Sequence, residues 1–130
     1  MARAFTVPVA ALALKIGPKW LDNLLSHHRV LGVEHSRQGV PRRLTPGGLL
    51  TIAVATHLIS ELDIPTARAL DLAQSLIDSD GRLILHEKLV LEMDLKALQL
   101  SLLEHVEYAL EAAPVLKRGR PPTKKTGRLD

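Results

Sequence analysis

The chain has 130 residues, enough for one compact domain and a tail. Hydrophobic residues make up 46% but aromatic ones only 2% (Phe5, Trp20 and Tyr108), so any core must be built from Leu, Val, Ile and Ala, a set that suits packed helices. The absence of cysteine excludes a disulfide framework and a thiolate metal site, and no apolar run approaches the ~20 residues of a membrane span.

The net charge of +3 conceals an asymmetry. Residues 1–43 carry seven basic groups against two acidic ones. Residues 44–112 carry four basic groups against eleven acidic ones, and residues 113–130 carry six against one. Basic ends around an acidic middle are expected when the ends meet a polyanion and the middle does not.

Arg3 ahead of an apolar run gives the first residues a faint look of a secretion signal, but Lys15 and Lys19 follow at once. The stretch therefore reads as part of the fold, and the cysteine-free composition reads as cytoplasmic, with association to the nucleoid. Val7 to Ile16 reads as a first short helix, with Pro8 near its start where a missing N–H costs little. Gly17-Pro18 breaks it, and Pro18 can open a second helix reaching His28. In that helix Trp20, Leu21, Leu24 and Leu25 form the apolar face, while Lys19, Asn23, Ser26 and His27 point outward. Two short helices joined by a tight turn make a helix-turn-helix pattern, whose second helix is the one suited to the major groove of duplex DNA.

Val30 to Glu34 and Val40 to Leu44 read as two short strands, with Ser36 to Gly39 as the tip between them. Arg37, Gln38, Arg42 and Arg43 lie on this hairpin, and Arg29 just precedes it. Thr45 is a good N-cap and Pro46 a good first residue for a third helix running to about Leu62, although Gly47 and Gly48 weaken its first turn. Asp63-Ile64-Pro65 interrupts it, and a fourth helix follows from Pro65 to Asp78. Arg82 to His86 and Leu89 to Met93 are either a second hairpin or the opening of a long helix, with the alternation favouring strands.

From Asp94, a plausible cap, Leu95, Leu98, Leu102, Val106, Ala109 and Ala113 step by three and four. Leu100, Leu103 and Leu110 add a second apolar row, and with Leu91 this wide face is expected to meet a second copy of the chain, giving a homodimer. The alternative is that the helix folds back onto its own core. Pro114 ends the helix, and the rest is proline, glycine and charge, a composition that does not pack. The expected divisions are a DNA-binding domain over 1–80, a dimerisation segment over 81–113 and a basic tail over 114–130.

The order helix, turn, helix, basic hairpin, helix, helix resembles the DNA-binding domain of the MerR family, a winged helix-turn-helix. The stretches that carry the likeness are 9–14, 18–24 and 38–45, with Leu44 where the family usually has an aromatic residue. The resemblance implies a mainly α fold with a small β-hairpin wing, two half-sites on DNA and dimerisation through the C-terminal helix. Lys117-Arg118-Gly119-Arg120-Pro121 resembles an AT-hook, which implies an extended contact with the minor groove of A·T-rich DNA.

The function expected is sequence-specific binding of double-stranded DNA, as a transcriptional regulator or an architectural protein. Within it, Lys19, Asn23, Ser26 and His27 face base edges, while Arg29, Arg37, Gln38, Arg42 and Arg43 meet phosphate or the minor groove. The competing reading is a protein-interaction module, such as an antitoxin or assembly subunit, docking through the leucine-rich helix. The six histidines show no ligand spacing, no small-molecule ligand is evident, and no nucleophile, phosphate loop or carboxylate pair stands out. Neither an enzyme nor a cofactor is expected.

Overall fold

A computed structural model describes residues 4–34 and 41–112. The elements follow in the order β1 (Phe5–Thr6), α1 (Val7–Leu14), α2 (Pro18–His27), β2 (Val33–Glu34), β3 (Arg43–Leu44), α3 (Pro46–Leu62), α4 (Thr66–Asp78), β4 (Arg82–His86), β5 (Leu89–Glu92) and α5 (Leu95–Ala112). The fold is thus mainly α, with two small antiparallel sheets.

Thr6 caps α1 by accepting the Val9 N–H at 3.4 Å, and Lys15 closes it in the left-handed conformation at φ 60°. There the Lys15 and Ile16 N–H groups donate to the Leu12 and Ala11 carbonyls, which terminates the helix before the Gly17-Pro18 turn. Ala10, Ala11 and Ala13 are fully covered, and these small residues let α5 pack closely on α1. Leu102, Val106 and Ala109 form the covered side of α5. One apolar cluster therefore runs from Phe5 to Ala109 and takes in residues of all five helices.

At the centre lies α3, in which every residue from Gly48 to Ala55 is buried, as expected of a helix surrounded by others. Its buried Thr51 donates its hydroxyl to the Gly47 carbonyl. Thr45 ties the start of α3 to the hairpin. Its hydroxyl accepts the Gly48 N–H at 3.1 Å and donates to the Gly32 carbonyl at 2.9 Å, while its own N–H donates to the same carbonyl at 2.8 Å. Gly32 stands at φ +86°, and a Cβ on Gly48 would sit 2.6 Å from the Gly32 oxygen. Gly48, which looks like a weakness in the first turn of a helix, is what lets α3 abut the hairpin backbone.

The three-stranded sheet has the order β1-β3-β2, with Phe5 and Val33 both opposite Leu44, and Thr6 and Glu34 both opposite Arg43. The pairing of β2 with β3 is the expected hairpin, shorter than its sequence pattern. β1 is an addition that the pattern does not predict. The segment from Arg82 to Glu92 is a hairpin, with Leu83 opposite Leu91 and Ile84 opposite Val90. Asp94 caps α5 by accepting the Ala97 N–H.

Candidate nucleic-acid interface

The second helix buries Leu21, Leu24 and Leu25 and exposes Lys19, Asn23, Ser26 and His27. The outward face is therefore polar, as the spacing predicts. Trp20 departs from expectation. It stands 41% exposed at the edge of the apolar stripe rather than within the core.

The exposed groups are not equally free. Arg42, next to β3, reaches across to α2. Its Nη1 donates to Asp22 Oδ1 at 2.7 Å and its Nη2 to Ser26 Oγ at 3.1 Å. Ser26 in turn donates its hydroxyl to the Asp22 carbonyl at 2.9 Å. The Arg42 side chain is only 17% exposed, and its Nε is buried with no partner among the described residues. Arg42 and Ser26, both expected to face DNA, are instead engaged in a tie between the hairpin and α2. Asp22, which the sequence reading passed over, is its anchor. The i, i+4 spacing of Asp22 and Ser26 on one helical face was a usable signal, because side chains so spaced meet.

His27 Nδ1 lies 2.8 Å from the Asn23 carbonyl, which can only accept, so Nδ1 carries the proton. Nε2 is left for an outside partner. The side chains of Lys19, Asn23 and Arg29 are exposed and make no hydrogen bond or ion pair among the described residues. Arg43 is exposed too, and it sits opposite Glu34 in the β2–β3 register. The geometry thus presents an amide, an ammonium group and an imidazole nitrogen on α2, with guanidinium groups at its flank. Such a set can donate to phosphate and read base edges.

Arg37, Gln38, Lys117, Arg118, Gly119 and Arg120 lie outside the described residues. So do the hairpin tip and the whole AT-hook-like tail.

The stripe expected to meet a second copy is largely covered by the chain itself. Leu102, Val106 and Ala109 are buried, and Leu91, Leu95 and Leu98 are half-buried against the same core. The helix does fold back onto its own domain. What remains outside is a different row, with Leu100 58% and Leu103 59% exposed, flanked by the exposed Lys96 and Glu107. A groove of about 500 Å³ runs beside this row, floored by Phe5, Leu49 and Leu50.

No group of three or more His, Asp or Glu among the described residues is placed to hold a metal ion. None of the described helices is long and apolar enough to cross a membrane. In comparison with known proteins, the chain matches no family model, no curated protein and no solved structure.

Proposed function

We propose that this protein binds double-stranded DNA as a winged helix-turn-helix, with α2 in the major groove and the β2–β3 hairpin on the adjoining backbone. The observation that carries the reading is the Arg42 tie to Asp22 and Ser26, which fixes a basic hairpin beside the polar face of a helix that follows a tight turn. A hairpin serving only to connect α2 with α3 has no need to be fastened to that face. Lys19, Asn23 and His27 supply the contacts to bases, and Arg29 and Arg43 the contacts to phosphate. The tail adds an A·T-rich minor-groove contact through Arg118 and Arg120, in the manner of an AT-hook. The role is that of a transcriptional regulator or an architectural protein.

The protein acts as a pair of copies. Two α5 helices crossing antiparallel, centred between Ser101 and Leu102, set Leu100 of each copy against Leu103 of the other. The same crossing sets Lys96 against Glu107, twice over by symmetry. All four side chains are exposed on one face of α5, which supports a self-complementary contact.

The test is titration of full-length protein onto duplex DNA at several salt concentrations. Affinity should fall steeply with salt, because each neutralised phosphate releases counterions. An affinity for mixed duplex fragments that stays flat from low to moderate salt sinks the reading. The exposed leucine row also favours a second reading, a protein-interaction module that docks another chain on α5. Sedimentation separates the two. A homodimer that forms alone supports the first, and a monomer that assembles only with a different protein supports the second.

A further inference from the structure

Away from α2's outward face, two adjoining depressions follow the groove between α1, α3 and α5. The larger, about 610 Å³, runs from Lys15 past Trp20 to Ser60; the smaller, about 260 Å³, runs from Lys15 to Ser101 and His105. They share Leu14, Lys15, Thr56 and His57, so they form one cleft. Among the described residues, neither is lined by any Asp or Glu. That is unexpected in a chain whose residues 44–112 hold eleven acidic groups against four basic ones.

The polar groups of the cleft are almost all potential donors: the Lys15 ammonium, the His57 and His105 rings, the Ser60 and Ser101 hydroxyls and the Trp20 indole N–H. Each imidazole can donate an N–H in either protonation state. None of these six side chains makes a hydrogen bond or ion pair among the described residues. The Thr56 hydroxyl is the exception, since it already donates to the Ala53 carbonyl at 2.8 Å. The remaining walls are apolar, with Ile16 and Ile59 beside Trp20, and Ala53 and Leu98 at the other end.

Lys15 is placed beside the cleft by the end of α1, which it closes in the left-handed conformation at φ 60°.

We infer that this cleft binds a small organic anion, a carboxylate on an aromatic or apolar body. The carboxylate meets Lys15, His57 and His105, and the ring lies against Trp20 and Ile59. Such a ligand touches α1, α2, α3 and α5 at once, next to the Gly17-Pro18 turn from which α2 departs. Its occupancy therefore couples the setting of α2 to that of α5. The binding site stands without the DNA-binding reading, and only the effect of the ligand on DNA affinity rests on it.

Trp20 is the only tryptophan, so its fluorescence reports occupancy directly. Full-length protein without DNA is titrated with benzoate, indole-3-propionate and 1-naphthoate, and with benzamide as the uncharged match of benzoate. Tryptophan-like ligands are followed by calorimetry instead. At least one of the three carboxylates should saturate. Benzamide should bind about tenfold more weakly than benzoate, or not at all. Lys15→Gly, which suits the left-handed backbone and so preserves the fold, should weaken the saturating carboxylate about tenfold, and His105→Gln should weaken it less. Glu61→Gln, outside the cleft lining, should change nothing. Circular dichroism checks that each variant is folded. The inference is overturned if no carboxylate saturates, if benzamide equals benzoate, or if folded Lys15→Gly binds like the parent. A second titration repeats the DNA measurement with the carboxylate present. A carboxylate that binds in a protein that ignores DNA leaves the cleft standing and removes the DNA reading alone.

Discussion

The helices α2 and α5 both lean on α1, and both turn one face outward, yet those faces differ in kind. On α2 the outward groups are Lys19, Asn23 and His27, steadied from the side by Arg42. On α5 the centre of the outward face is Leu100 and Leu103, with opposite charges at its two ends. A polar face gains little from burial against protein, because each polar group must exchange water for a partner. A face of leucines gains little from a phosphate backbone. On the reading proposed above, the two helices would meet different partners, a polyanion for α2 and a protein surface for α5, although the same small helix supports them.

The largest effect should come from damage to the one core into which both helices are packed, which breaks the comparison altogether. Leu21 is fully buried on the inner face of α2. Leu21→Ala should cost about 2–5 kcal/mol of stability, read as a shift of the urea midpoint, because a buried leucine leaves a cavity that its neighbours only partly close. DNA binding and self-association should then fall together. The next effects should separate the two faces. Asn23→Ala should cost about 1–3 kcal/mol at a single base pair, measured as lost discrimination in binding to selected duplexes, with the oligomeric state untouched. Lys96→Glu should do the reverse. It turns two attractive contacts into repulsive ones and should weaken the dimer by about 1–2 kcal/mol in sedimentation equilibrium at low salt. Adding Glu107→Lys should restore it. If the double variant stays as weak as the single one, the antiparallel crossing of α5 is wrong.

How much of this was legible in the sequence depends on the range of each interaction. Local punctuation was plain. Gly17-Pro18, the Thr45 cap followed by Pro46, and the Asp94 cap each act within four residues, and the structure places helix ends at all three. The strand β1 was not legible, because two residues carry no periodicity and Phe5-Thr6 forms only by pairing with Arg43-Leu44 far along the chain. The α5 stripe was half legible. Its spacing showed that one face is buried, but periodicity does not say against what, and the small residues of α1 supplied the answer within the chain. Trp20 fell within the stripe by spacing, yet the buried centre of α2 is Leu21, Leu24 and Leu25, and the tryptophan is left at the margin. Arg42 shows the same limit within the candidate site. Its basic charge pointed to DNA, whereas its partner, twenty residues away, is a carboxylate of the same protein.

That last difference yields the sharpest comparison between neighbours. Arg42 and Arg43 are adjacent and identical in charge, but one is fastened to α2 and the other is exposed. If Arg43 touches phosphate, Arg43→Ala should reduce the slope of log affinity against log salt by about one, and weaken binding evenly across sequences. Arg42→Lys keeps the charge but loses the planar fork that reaches Asp22 and Ser26 together, so the hairpin should loosen against α2. Its salt slope should stay near that of the parent, while affinity falls by about 1 kcal/mol through the looser hairpin. Duplex binding at four or more salt concentrations measures both quantities for both variants. The same measurement on Arg42→Ala closes the comparison: a loss of slope equal to that in Arg43→Ala would mean that Arg42 leaves Asp22 and meets phosphate when DNA is bound, and the tie would then belong to the free protein alone.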